Sequence, residues 1–175
     1  MKDFSELLSI RRSHRKFTSE PVTDGQLHTI ERAALIAPSS KGLHNCGLVV
    51  TQNPEIIANL SHCKAQGCEF VEGAPVVIAV VGDPELGDMW IEDGSVAATM
   101  MLLQAEDLGL GACWVQVRER RDKDGNDAEA NVRRHLDISD KYRVLCLVAL
   151  GHKGMERKPQ NEERLDWGKV KTYNG

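Results

Sequence analysis

Strands alternating with helices along one undivided chain predict an α/β-type layered domain. Three observations carry that prediction. Two strand-length runs, Pro75–Val81 and Arg143–Leu150, are apolar almost throughout. Stretches with helical spacing of apolar residues separate such runs. No internal repeat or linker divides the 175 residues, so residues 1–175 read as a single domain, long enough to bury a core without staples.

The elements follow in order. Residues 4 to 10 read as a short helix leading into a basic segment, Arg11-Arg12-Ser13-His14-Arg15-Lys16-Phe17. Thr23 starts a second helix: Gln26 stands three residues on, as in a capping box, and Leu27, Ile30 and Ala34 share one face. Pro38 stops it, and Ser39-Ser40-Lys41-Gly42 reads as a loop. Leu48 to Thr51 is a short strand, and Pro54 opens a helix through Leu60. A loop and a short helix lead to the Pro75–Val81 strand, whose first residue tolerates proline. The helix from Ile91 to Leu108 is apolar nearly all round between Val96 and Leu103, so it is buried on more than one side, in a core or against a partner. Ala112 to Val117 is a strand, residues 127 to 136 a helix with Ala128, Val132 and Leu136 in line, and Arg143–Leu150 the last strand. Past Gly151 the chain turns polar and reads as an extended tail.

Composition narrows the function. A chain 41% hydrophobic without low-complexity tracts is not disordered, and a net charge of −4 lacks the basic field of a general nucleic-acid binder. The longest apolar run, Ala74 to Val81, falls far short of a bilayer span. Asp3 and Glu6 precede an apolar stretch too short for a signal peptide, so the expected compartment is the cytoplasm. The five cysteines show no framework spacing. Cys113 and Cys146 sit in apolar runs as small buried residues, and neither His44 with Cys46 nor His62 with Cys63 and Cys68 has the spacing of a zinc motif. No metal is expected.

The densest chemical signal lies near the start. In an extended segment alternate residues share a side, so Arg11, Ser13 and Arg15 converge while Arg12 points away. Two guanidinium forks and a hydroxyl suit a phosphate monoester; the same run also reads as an exposed charge cluster. Gly109-Leu110-Gly111 is no dinucleotide fingerprint, because the third glycine is missing and the order is helix then strand.

These blocks together resemble the FMN-dependent nitroreductase family, in particular a bacterial NAD(P)H nitroreductase-like subgroup. Arg-Arg-Ser-x-Arg-x-Phe at 11–17 resembles the family's opening signature. Ala37-Pro38-Ser39-Ser40, Gly73-Ala74-Pro75, Trp90-Ile91-Glu92-Asp93, the run Leu108 to Gln116, and Glu162 to Trp167 with Lys169-Val170 follow in the family's order and cover residues 4 to 173. The resemblance implies an α+β fold layered α/β/α, with a central mixed sheet flanked by helices, and a homodimer with a long buried interface helix and an extended C-terminal tail. It implies that Arg11, Arg12, Ser13 and Arg15 hold the FMN phosphate, joined by Arg164 from the tail or Lys158 in its place. Pro38, Ser39 and Ser40 map to a loop against the flavin of the partner subunit. Trp114, Val115 and Gln116 map to the segment that brings a backbone N–H near flavin N5, where a donor stabilises the reduced ring.

One stretch departs from the family. Where its members carry a Pro-Trp or similar bulky pair, this chain has Asn45 and Cys46 within His44-Asn45-Cys46-Gly47. The expected function is an FMN-dependent oxidoreductase in which NAD(P)H reduces the flavin and leaves, and a nitroaromatic, quinone or similar electron-poor acceptor is then reduced. The flavin itself carries the chemistry, so no catalytic side chain is expected. A non-catalytic flavin-binding or sensing protein is the alternative motivated by residues 44–47. A phosphate- or nucleic-acid-binding module built on the Arg11–Arg15 run is the third, and predicts a colourless protein.

Overall fold

The computed structural model describes residues 3–173. Helices α1 (Phe4–Ile10), α2 (Asp24–Leu35), α3 (Pro54–Leu60), α4 (Trp90–Asp107) and α5 (Ala128–Leu136) surround strands β1 (Gly47–Thr51), β2 (Val76–Gly82), β3 (Leu110–Gln116) and β4 (Arg143–His152). The start of α2 obeys its sequence signal: the Thr23 side chain accepts from Gln26 N, and Gln26 Oε1 accepts from Thr23 N at 2.9 Å. Asn53 caps α3 ahead of Pro54, and Asp127 caps α5.

The sheet order is β1-β2-β4-β3, and every neighbouring pair among these strands is antiparallel. A parallel bridge between Ser13 and Ala112 makes the sheet mixed. Strand–helix alternation therefore does not produce a parallel sheet here, because β2 and β4, distant in sequence, pair antiparallel at its centre. β3 and β4 run past their expected ends, since Leu110 pairs with His152 and Gly111 with Gly151.

Side chains of the central strands alternate between two cores, which makes the layering α/β/α. Val76, Ile78 and Val80 pack with Ile30, Ala98 and Met101 against α2 and α4. Val77, Ala79 and Val81 pack with Ile57, Leu60, Val71 and Val132 against α3, α5 and the 3-10 turn Glu69–Gly73. A Cβ at Gly94 would lie 2.8 Å from Leu145 Cδ2, so α4 approaches the sheet closely only because this residue is glycine.

Helix α4 buries Ala97, Ala98, Met101 and Ala105 on the sheet, while Val96 remains 39% exposed and Met100, Leu102 and Leu103 are half-buried. The apolar surplus read from the sequence thus faces outward. A cleft of about 310 Å³ adjoins it, lined by Phe4, Leu7, Ala33, Ile36, Met100 and Leu103. The tail carries two 3-10 turns, Glu162–Arg164 and Trp167–Lys169, and leaves Leu165, Trp167, Val170 and Tyr173 exposed. No described helix is long and apolar enough to cross a membrane.

Candidate functional site

The basic segment leaves α1 and runs beside the outer edge of β3. His14 N donates to Ala112 O at 3.0 Å, and Thr18 N donates to His152 O at 3.0 Å, which stitches the segment to both β3 and β4. The buried His14 side chain lies over Gly111, where a Cβ would come within 2.8 Å of His14 Cβ. Behind it stands buried Glu106, whose carboxylate pairs with Lys153. Burial, followed by Lys153, pushes the His14 pKa down and keeps the imidazole neutral near pH 7. Inward-facing His14 therefore turns its neighbours Ser13 and Arg15 to the solvent side of the segment.

Arg11, Ser13 and Arg15 all act on one residue of β3, Cys113. Burial raises its thiol pKa, and Arg15, the Ser13 hydrogen bond, Lys64 and Arg11 all pull it back down. Ser13 thus reaches Cys113 directly, and the positive charges of Arg15, Lys64 and Arg11 act on the same thiol at the edge strand β3. No ion pair links Arg11, Arg15 or Lys64 to a carboxylate of the described residues. Arg15 also lies over the Phe70 ring, 5.7 Å from its centroid. Arg12 takes the opposite direction and donates to the carbonyls of Lys158 and Pro159, so it holds the tail instead of joining the cluster.

Sequence reasoning missed Lys64. It follows α3 in a turn that the Cys68 thiol closes by reaching the carbonyls of Ser61 at 3.1 Å and Lys64 at 3.4 Å. Nothing in the local sequence connects position 64 with positions 11–15. Their meeting depends on α3 lying on the same face of the sheet as Cys113 and Val115.

Strand β3 contributes a donor edge. Ala112 O receives the His14 N–H, so the peptide groups of residue 112, and by strand parity those of 114 and 116, point away from β4. Val117 N donates to Leu145 O, which puts the odd-numbered peptides in the ladder. Trp114 and Gln116 therefore present backbone N–H groups on the outer edge. The N–H of Val115 is spent inward and its side chain is buried. Trp114 Nε1 donates to Gln116 Oε1 at 3.0 Å and Gln116 Nε2 donates to Arg118 O at 3.0 Å, which keeps both side chains occupied with each other.

Pro38, Ser39 and Ser40 form a separate segment at the end of α2, over α4. Ser40 N donates to buried Asp93 Oδ1 at 2.8 Å, and Ser39 Oγ accepts from His44 N at 2.9 Å. Lys41 and His44 both adopt left-handed backbone, with φ of 54° and 48°. Each such non-glycine residue costs about 1–3 kcal/mol, which the surrounding contacts must offset. The departure at 44–47 has its own logic: buried Asn45 donates to Asp83 O at 2.7 Å and accepts from Asp83 N at 2.9 Å, riveting β1 to the loop before α4. Burial, with Asp93 second, pushes the Cys46 thiol up to about 11, so it stays protonated and unreactive at neutral pH. Arg164 sits on an exposed turn of the tail, four residues beyond Gln160, whose N–H donates to Ser9 O at 2.8 Å.

A family model for the Nitroreductase family matches residues 8–67 and 61–152. A solved FMN-dependent nitroreductase from Clostridium difficile R20291 is 41% identical, covers 97% of this chain and 98% of its own, and superposes with a TM-score of 0.93. The NADPH-flavin oxidoreductase of Vibrio harveyi is 28% identical over 180 residues, spanning 94% of this chain and 71% of that protein. A protein of Desulfovibrio desulfuricans solved in complex with FMN shares the fold, with a TM-score of 0.73 at 24% identity over 95% of this chain and 98% of its own.

Proposed function

The chain belongs to the Nitroreductase family, and on that premise we propose that it is an FMN-dependent oxidoreductase using NAD(P)H to reduce nitroaromatics, quinones or similar electron-poor acceptors. The observation that carries this reading is the basic segment Arg11–Arg15 laid along the outer edge of β3, its Ser13, Arg11 and Arg15, with Lys64, acting on Cys113 beside the free donor edge of that strand. Its chemistry fits FMN: cations with no ion-paired carboxylate among the described residues suit a phosphate dianion, and a row of outward N–H groups suits the polar edge of a flavin ring. When bound, FMN supplies the hydride-accepting and hydride-donating ring that no side chain of this protein provides.

The protein's own residues then have separable tasks. Arg11, Ser13 and Arg15 grip the phosphate, with Lys64 adding positive charge from the α3 side. Arg12 contributes through the tail it holds, which carries Lys158 and Arg164. The N–H groups of Trp114 and Gln116 offer hydrogen bonds along the β3 edge, with Val115 anchoring the strand from behind. Pro38, Ser39 and Ser40 wall the site across a homodimer interface. The outward apolar face of α4, the adjoining cleft and the exposed tail residues Leu165 and Trp167 support that dimer. Five free thiols support residence in a reducing compartment, the cytoplasm.

Purified protein reconstituted with FMN provides the test. The reading expects a yellow dimer whose flavin absorbance bleaches on anaerobic addition of NADH or NADPH and returns with a quinone. Protein that stays colourless after incubation with FMN defeats it. Bound flavin that neither nicotinamide reduces leaves a flavin-binding protein without turnover.

A further inference from the structure

We propose that Asp93 is a positioning residue for the cofactor site, its carboxylate fixing Pro38–Ser40 in the conformation that receives the flavin. This rests on the FMN reading above and assigns a task within it. Asp93 is 6% exposed, and its Oδ1 accepts the Ser40 N–H at 2.8 Å across 53 residues of sequence. It does not cap its own helix: Met89, which precedes the first residue of α4, supplies no side-chain cap, and the Asp93 N–H is already bonded to Met89 O. The carboxylate is thus committed to another segment.

That segment cannot hold its shape alone. Lys41, Gly42 and His44 all have positive φ, at 54°, 67° and 48°, and of these only glycine adopts such backbone freely. Its internal bonds are local: Gly42 N to Ser39 O, Leu43 N to Ser40 O, and His44 N to Ser39 Oγ. Bonds of this kind move with the loop and do not locate it. The anchors to the rest of the protein are Asp93 at Ser40 and the Asn45 rivet to Asp83 and Gly87. Asp93 lines clefts on both sides of the segment, one with Pro38, His44 and Cys46, the other with Ser40, Lys41 and Leu43. Because α4 is the rigid helix whose outer face is proposed to meet the partner subunit, Asp93 couples that interface to the loop walling the flavin.

FMN affinity, read by quenching of flavin fluorescence, tests the assignment alongside the melting temperature of each apoprotein. Asp93→Ala is expected to weaken FMN binding about tenfold or more, the scale of one hydrogen bond to a charged group. Asp93→Asn keeps an acceptor oxygen and restores affinity to within about threefold of the parent, which a role resting on charge alone would not allow. Ser40→Pro removes the N–H from the other side; Ser39, at φ −136° and ψ 156°, already has backbone that proline tolerates in its predecessor. Ser40→Pro compared with Ser40→Ala isolates the N–H from the hydroxyl, and the loss from Ser40→Pro should not add to that from Asp93→Ala. If Asp93→Ala fails to fold, the Asn variant and the Ser40 pair decide. Unchanged FMN affinity in Asp93→Ala, with or without a lower melting temperature, overturns the positioning role alone. Full additivity of the two losses, or an Asn variant as weak as Ala, overturns it as well. A parent protein that binds no FMN overturns both this inference and the reading beneath it.

Discussion

Replacing Arg15 with alanine separates binding from folding more sharply than any other change at the site. The Arg15 side chain is exposed, and its visible contact within the fold is with the Phe70 ring at 5.7 Å. An exposed cation–π contact contributes about 0.5–1 kcal/mol. For a chain of this size that corresponds to a fall of roughly 2–4 °C at most in the melting temperature of the apoprotein. Against bound phosphate the same guanidinium supplies a charge-assisted hydrogen bond worth about 1.5–3 kcal/mol. The FMN dissociation constant should therefore rise from about tenfold to somewhat over a hundredfold. Titration by flavin fluorescence and a thermal melt, run on the same preparations, give both numbers. Arg11→Ala should behave alike, and Arg15→Lys should fall between, since it keeps the charge and loses the planar fork. Unchanged FMN affinity in both Arg11→Ala and Arg15→Ala would mean the phosphate lies elsewhere.

Other outcomes follow from contacts around the site. Arg12→Ala should free the tail that its guanidinium holds at Lys158 and Pro159, read as faster tryptic cleavage after Arg157 in limited proteolysis. Arg143→Met leaves the buried Glu129 carboxylate without the two 2.7 Å bonds from that guanidinium. It should cost about 3 kcal/mol, a melting temperature lower by roughly 6–12 °C. Hydrogen bonds from Asn126 and then Asn131 hold Asp122 down to about 2, below an unfolded value near 3.9. A depressed carboxylate stabilises above its unfolded pKa, so this contribution should vanish as pH falls from about 4 to 2, measured as urea midpoints of the parent against Asp122→Asn. Cys46, with its pKa raised to about 11, should react with a thiol reagent at pH 8 far more slowly than a free cysteine.

Much of the fold was legible locally. The capping box at Thr23 and Gln26, Pro54 at the start of α3, and the apolar runs of β2 and β4 each determine their element through backbone and solvent preferences that act within a few residues. The opposite facing of His14 and its neighbours Ser13 and Arg15 was legible for the same reason, since strand alternation is a local property. Its structural cause was not: His14 turns inward only because Gly111 makes room and Glu106 and Lys153 lie behind it.

What the sequence by itself determined, then, is which stretches form helices and which form strands, which faces are apolar, and the family to which its ordered motifs belong. Tertiary structure alone decided the antiparallel sheet order, the arrival of Lys64 beside the basic segment, the diversion of Arg12 to the tail, and which peptide groups of β3 face outward. It also decided that Asn45 is a rivet and Asp93 an anchor. The physical reason is range. Caps, turns and periodicity are set by neighbours a few residues apart, whereas the partners of a buried carboxylate or a strand edge come from segments that only the packed sheet brings together, as Ser40 and Asp93 meet across 53 residues.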